Sequence, residues 1–97
     1  MHYFVTYKNI LRPQKSRSDY VNWLRRYWPV QQGWGAVSYH LWVSNEKTDH
    51  VLYCRYTVTD LDRWTASAAS QHNEELVKAL SRIIDMNRIS IKIKADA

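Results

Sequence analysis

The most informative segment of the chain is residues 60–84, DLDRWTASAASQHNEELVKALSRII. At 100° per residue, one helical face of its first half holds five side chains, Leu61, Trp64, Thr65, Ala68 and His72. The second half has its own apolar face at helical spacing, with Leu76, Val77, Leu80, Ile83 and Ile84. Asp60 is typical of a helix N-cap, and Asn73 is placed to cap the second half. The segment therefore predicts two helices in series with a break at residues 71–73.

Four further segments have the composition or the alternation of β-strands. Residues 2–10 are rich in aromatic and β-branched side chains, and residues 88–94 alternate isoleucine with polar or basic side chains. Residues 36–44 and 50–59 each alternate an apolar with a more polar face, on the two sides of a mostly polar turn at residues 45–49. The pattern predicts four strands, of which the second and third form a hairpin.

A helix is predicted between the first two strands. Ser18 is typical of an N-cap, Asp19 suits the positive end of a helix, and Pro29 is expected to end it. Its apolar face recurs at helical spacing, with Tyr20, Trp23, Leu24 and Tyr27. The resulting β-α-β-β-α-β order is the ferredoxin-like plan, an α+β fold in which a four-stranded antiparallel sheet carries two helices on one face. Residues 1–97 are expected to form this single domain.

The second face of the predicted sheet is left without helices. It would carry a set of aromatic and basic side chains, His40, Trp42, Tyr53, Arg55 and Lys92. An exposed surface of this kind normally meets a partner. The same face of a second subunit would close a barrel about a two-fold axis, and nucleic acid stacked on the aromatic rings is the alternative. The sequence favours the homodimer, and nucleic acid ranks last.

Composition and charge narrow the class of protein. An apolar content of 45% predicts a globular chain, and a net charge of +5 without a long basic run favours a solvated surface over a nucleic-acid interface. The single cysteine, Cys54, lies in an apolar run and is predicted to be a buried core thiol, so neither an intrachain disulfide nor a zinc cluster of several cysteines is expected. The four histidines lack the spacing of a metal site, and no metal is expected.

No segment has the features of a targeting signal or a membrane anchor. Residues 1–10 lack a basic region followed by an apolar one, and no apolar run approaches the length of a membrane span. The chain is therefore expected to be cytoplasmic and to have no membrane partner.

Three short motifs in residues 33–84 carry a resemblance to a known family. GAVSYHL at residues 35–41 follows a glycine-containing loop, DLDRW at residues 60–64 opens a helix, and SQH at residues 70–72 follows about two turns later. In this the chain resembles the antibiotic-biosynthesis-monooxygenase-like members of the dimeric α/β-barrel superfamily. The resemblance implies the ferredoxin-like fold and a homodimer formed through the open sheet face.

The resemblance also implies a range of activities. Some members oxygenate aromatic molecules without metal or flavin, some bind and degrade haem, and many have no known activity. The expected function is a small-molecule-binding protein or a cofactor-free, monooxygenase-like oxidoreductase that acts on a hydrophobic aromatic ligand between sheet and helices. A non-catalytic dimeric accessory protein and a haem-binding or haem-degrading relative are the alternatives. No cofactor is expected, with haem as the exception that the resemblance leaves open.

Six residues are the candidates for such a site. His72 is expected to handle protons because the unperturbed pKa of histidine is near neutrality, and Asn9 is its predicted catalytic companion. The ligand-binding candidates are one tryptophan and three tyrosines, Trp64, Tyr7, Tyr39 and Tyr56. By resemblance to the haem-degrading members, Asn9, Trp64 and His72 would also be the haem-site residues. Each has a structural alternative: a histidine at a helix break, a core tryptophan, a turn asparagine, and tyrosines at a dimer interface.

Overall fold

The structure, a computed structural model, describes residues 1–46 and 49–96. Its strands and helices follow in the order β1 His2–Ile10, α1 Arg17–Gly33, β2 Ala36–Glu46, β3 Asp49–Val58, α2 Leu61–Ala68, α3 Glu74–Ser81 and β4 Ser90–Asp96. Single turns of 3-10 helix lie at Gln71–Asn73 and Met86–Arg88. This confirms the predicted element order and the break in the second helical segment. The centre of the predicted turn, residues 47 and 48, lies outside the described residues.

The four strands form one antiparallel sheet in the order β2-β3-β1-β4. Tyr7 of β1 lies opposite Cys54 of β3 on one side and Ile91 of β4 on the other. Asn9, two residues later, therefore points to the same face as Tyr7, because side chains alternate along a strand. This is the face that the helices cover, so the central strand presents Tyr7 and Asn9 to the helical layer.

The core lies between the sheet and the three helices. The predicted apolar face of α1 is confirmed, since Tyr20, Trp23 and Leu24 are buried. The indole N–H of Trp23 donates a hydrogen bond to the backbone carbonyl of Leu76 over 3.0 Å, which ties α1 to α3. Cys54 is fully buried, as predicted for a core thiol. Burial of these large side chains is the main stabilising contribution to the fold.

Helix α1 begins earlier and ends later than predicted. Its N-cap is Ser16 and not Ser18, because the backbone N–H of Ser16 donates to the carboxylate of Asp19 over 2.8 Å. The predicted end at Pro29 is wrong, since the helix continues to Gly33. An interior proline costs roughly 3 kcal/mol in a helix. Packing offsets that cost here, because Trp28 stacks on Tyr56 before the proline and Gln31 is buried after it.

The sheet face opposite the helices carries the aromatic and basic residues that the alternation predicted. His40 lies opposite Arg55 and Trp42 opposite Tyr53 in the β2–β3 pairing. The rings of Trp42 and Tyr53 are stacked, with centroids 5.1 Å apart and planes 10° apart. We call this the open face; it is defined by Phe4, His40, Trp42, Tyr53, Arg55 and Lys92.

Gly35, between α1 and β2, is expected to be sensitive to substitution because its φ is +104°. A Cβ at Gly35 would lie 3.4 Å from Thr59 Oγ1, so space is available and the backbone conformation is the obstacle. Gly35→Ala should lower the free energy of unfolding by about 1–3 kcal/mol. Gly33→Ala is the matched control, since nothing lies within 4 Å of its added Cβ and the residue is helical. Urea unfolding of both variants measures the difference, and equal losses would contradict the assignment.

Candidate functional site

A cavity of about 220 Å³ lies between the sheet and the helices. Its walls are largely aromatic, with Tyr7, Tyr20, Trp23, Trp34, Tyr56 and Trp64. Aliphatic side chains and one methionine supply most of the remaining lining, with Ala68, Leu76, Val77, Leu80, Met86, Ile89 and Ile91. The most exposed of these, Val77 at 40% and Ile91 at 52%, mark its mouth between α3 and β4. Two amide side chains, Asn9 and Gln31, also reach the cavity.

Trp64 joins the helical layer to the sheet across this cavity. Its indole N–H donates a hydrogen bond to the hydroxyl of Tyr7 over 3.1 Å. Its ring also contacts Tyr56, at a centroid distance of 4.8 Å, and Trp34 edge to face at 5.3 Å. Trp64 is therefore both a buried core residue and a wall of the cavity. The core and the ligand-binding interpretations of Trp64 are compatible with each other.

Asn9 is held in one orientation by its amide nitrogen. Nδ2 donates to the backbone carbonyl of Leu52 over 3.1 Å and to the hydroxyl of Tyr20 over 3.4 Å. Within residues 1–46 and 49–96 the side-chain oxygen of Asn9 has no hydrogen-bond partner, although the residue is fully buried. Because the nitrogen is committed to two acceptors, the atom left free is an acceptor.

Burial keeps the hydroxyl and thiol groups beside the cavity protonated. It raises the pKa of Tyr7, and it raises the pKa values of Tyr20 and Tyr56 well above the usual value for tyrosine. Burial also raises the pKa of Cys54 to about 12. The hydroxyl of Tyr56 interacts with Cys54 and Tyr20, but it has no hydrogen bond of acceptable geometry in the part of the chain that the structure describes. At neutral pH these groups can donate hydrogen bonds, but they are not nucleophiles or bases.

Two predicted site residues lie outside the cavity. The prediction that His72 faces the core is wrong, because α2 ends at Ala68 and a 3-10 turn resets the direction of the side chains. His72 is exposed, and its neighbour Asn73 is buried and donates to the carbonyls of Ser67 and Ala68.

The prediction that Tyr39 lines the cavity is also wrong. Its ring packs edge to face on Trp28 at 4.9 Å, at the β2 edge of the sheet, and is 37% exposed. Trp28 in turn stacks on Tyr56, with centroids 6.5 Å apart. Tyr56, on the neighbouring strand, lines the cavity, whereas Tyr39 on the edge strand does not.

Gln31 is a polar site residue that the sequence prediction missed, as were the aromatic walls Tyr20, Trp23 and Trp34. Gln31 is only 2% exposed, it lines the cavity, and its side-chain oxygen has no hydrogen-bond partner among the described residues. The signal was present in the spacing, since Gln31 lies seven residues after Leu24 and four after Tyr27 on the same face of α1. The expected helix end at Pro29 concealed it.

The described residues do not fit haem. Asn9 and Trp64 line the cavity, but His72, the expected iron ligand, is exposed at another surface, so the three residues are not brought together. Within residues 1–46 and 49–96, no three histidine, cysteine or acidic side chains are grouped so that they could hold a metal ion. None of the helices in the same part of the chain has both the length and the apolar character needed to cross a membrane.

No protein-family model and no curated protein matches the sequence. Solved structures do match. The chain is similar to SnoaB, a cofactor-independent oxygenase from Streptomyces nogalater, with a TM-score of 0.67 and 13% identity over 99% of this chain and 92% of that one. It is similar to a conserved protein from Methanosarcina mazei, with a TM-score of 0.71 and 19% identity over 100% of this chain and 94% of that one.

A de novo designed protein, Foldit4, is also similar, with a TM-score of 0.64 and 13% identity over 100% of both chains. Likeness to a designed chain demonstrates that shape at this level of identity carries no function with it. The three matches confirm the predicted ferredoxin-like fold.

Proposed function

We propose that the protein binds a small hydrophobic aromatic molecule in the cavity between its sheet and its helices. The observation that carries the proposal is an aromatic-walled cavity of about 220 Å³ whose lining includes a few residues with buried polar side chains. Ligand sites are typically apolar with a small number of polar groups that fix orientation. An engineered apolar cavity of about 150 Å³ holds benzene, so a cavity of this size suits a compound of one or two rings.

The proposed roles follow from position. Trp64 and Tyr56 form the flat walls against which an aromatic ring packs. Tyr7 holds Trp64 through its hydroxyl, and Asn9 supplies a polar group at the floor of the cavity, on the central strand. We do not propose a role in this site for His72 or Tyr39.

Calorimetric titration with 2-naphthol, followed by NMR, tests the proposal. We expect saturable binding of one molecule per chain, with shifts in the indole N–H signals of Trp64 and Trp34. Trp42 is an internal control, because it lies on the open face and its indole signal should stay in place. Absence of saturable binding, or equal shifts of all the indole signals, would overturn the proposal.

Cofactor-independent oxygenation of the bound ligand is the second candidate, favoured by the likeness of the fold to SnoaB. Such a step balances without a reductant when a ring CH₂ becomes a carbonyl: one atom of O₂ enters the product, and the other leaves as water with the two hydrogens. The described lining includes the neutral Tyr56 hydroxyl as a donor for developing negative charge, but no side chain that is charged at neutral pH. Ligand binding is therefore the first proposed function, and oxygenation is the second. Oxygen uptake in the presence of ligand, without added metal or flavin, would establish turnover.

We propose that the open face joins two copies of the chain. The stacked pair of Trp42 and Tyr53 is its centre, and a chain of 97 residues gains considerably from additional burial. Tryptophan is among the residues that most often dominate the energy of an interface. Nucleic acid on the same face remains the last-ranked alternative. A monomeric protein in solution would favour it over the dimer.

Trp42→Arg is expected to dissociate this dimer. The change removes a central ring and adds a cation beside Arg55, and loss of a dominant interface residue costs on the order of 2–4 kcal/mol. Val43→Arg is the matched control, because Val43 is the next residue of β2, points to the opposite face and is 47% exposed. Analytical ultracentrifugation should show a monomer for Trp42→Arg and a dimer for Val43→Arg. A dimer in both cases would place the interface elsewhere.

A further inference from the structure

We infer that the ligand of this cavity is neutral and donates hydrogen bonds, as a phenol or a ring N–H does, and that Asn9 and Gln31 recognise those donors. The inference rests on the proposed function and deepens it. It names what distinguishes the true ligand from other aromatic molecules of the same size.

Two buried oxygens without partners carry the inference. The side-chain oxygen of Asn9 is fully buried, that of Gln31 belongs to a residue only 2% exposed, and neither accepts a hydrogen bond within the described protein. Buried polar groups in folded proteins are almost always paired. Both residues line the same cavity, so a bound ligand is the partner that the inference assigns to these oxygens.

The two oxygens approach the cavity from different layers. Asn9 lies on the central strand β1, where its nitrogen is held by Leu52 and Tyr20 and its oxygen is left free. Gln31 lies in the last turn of α1, after the proline. A flat ligand between the sheet and α1 therefore meets an acceptor on each side, and a compound with donors at both ends satisfies both.

The charge of the lining selects against an anion. The described residues that line the cavity include no lysine, arginine or histidine, so a carboxylate would lie uncompensated in an apolar site. It would also face the two amide oxygens, which repel it.

A matched set of two-ring compounds tests the inference by calorimetry. 2-Naphthol has a donor, 2-methoxynaphthalene has the same rings and oxygen without the donor, and 2-naphthoate is the anion. We expect 2-naphthol to bind about tenfold more tightly than the methyl ether, which corresponds to about 1.4 kcal/mol, and 2-naphthoate to bind more weakly than either. In the NMR spectrum the side-chain amide signal of at least one of Asn9 and Gln31 should shift with 2-naphthol and much less with the methyl ether.

Gln31→Met removes one acceptor and keeps the length of the side chain. It should reduce the preference for 2,6-dihydroxynaphthalene, which has a donor at each end, over the methyl ether severalfold. Gln32→Met is the control, because Gln32 is the adjacent and exposed glutamine. Should Gln31→Met fail to fold, the amide shifts of the unmodified protein decide the question.

The outcomes separate this inference from the proposed function. If neither naphthalene compound binds, the proposed function fails and the inference fails with it. If 2-naphthol and its methyl ether bind equally well, the cavity is an aromatic site but the inference is overturned. Equal weakening of 2,6-dihydroxynaphthalene and the methyl ether by Gln31→Met would also overturn it, because Gln31 would then act through packing alone.

Discussion

Replacing Ala68 by leucine is expected to weaken the binding of 2-naphthol at least about a hundredfold, or about 2.8 kcal/mol. Ala68 is the last residue of α2 and lines the cavity. The larger side chain takes the space that the second ring of the ligand requires. Calorimetric titration of the variant measures the loss.

Ala66→Leu is the matched control for this change, because Ala66 lies on the same helix and is exposed. It should bind 2-naphthol as the unmodified protein does. Stability supplies a second readout: leucine in a real cavity leaves the unfolding midpoint unchanged or raises it, whereas overpacking a closed core costs about 1–3 kcal/mol. Unchanged binding by Ala68→Leu would place the ligand elsewhere.

The free energy of unfolding is expected to fall steeply as the pH rises from about 9 to about 12. Burial raises the pKa of Cys54 to about 12, against 9.0 for the free side chain. Between these values the unfolded chain releases the thiol proton and the folded chain keeps it, so rising pH favours the unfolded state. The difference corresponds to roughly 4 kcal/mol. Because the pKa values of Tyr7, Tyr20 and Tyr56 are also raised, these residues lower the free energy of unfolding further above pH 10.

Urea unfolding of the unmodified protein and of Cys54→Ala at a series of pH values measures this effect. Below pH 9 the buried thiol makes its full contribution to the free energy of unfolding. The unmodified protein should lose that contribution as the pH rises from 9 towards 12. Cys54→Ala should show a shallower decline, which leaves the part due to the tyrosines. Identical pH profiles would mean that the thiol is not buried in the folded protein. A thiol reagent should also fail to modify native Cys54 at about pH 8.

Local patterns were sufficient to predict most of the fold. Alternation in residues 36–44 and 50–59 predicted the faces of β2 and β3, and helical spacing predicted the buried face of α1. Asp60 caps α2 as expected, since its carboxylate accepts a hydrogen bond from the backbone N–H of Arg63 over 3.0 Å. Each of these features depends on residues within a few positions of one another, so the sequence alone contains the information.

The candidate site could be predicted only in part. Tyr7, Asn9 and Tyr56 share one face of the sheet by alternation, and Trp64 faces that layer from α2, so the four meet in the cavity. The prediction for His72 failed because helical spacing has meaning only while the helix continues, and α2 ends four residues earlier.

The sequence pattern indicates the order of the strands and helices and most of their buried faces, because those properties repeat with the period of the backbone. It does not indicate that α1 passes Pro29 and buries Gln31, that Tyr39 stays at the edge of the sheet, or that Asn73 rather than His72 turns inward. The reason is that each outcome depends on packing between elements far apart in the chain, and such packing is large enough to offset a local cost of a few kcal/mol.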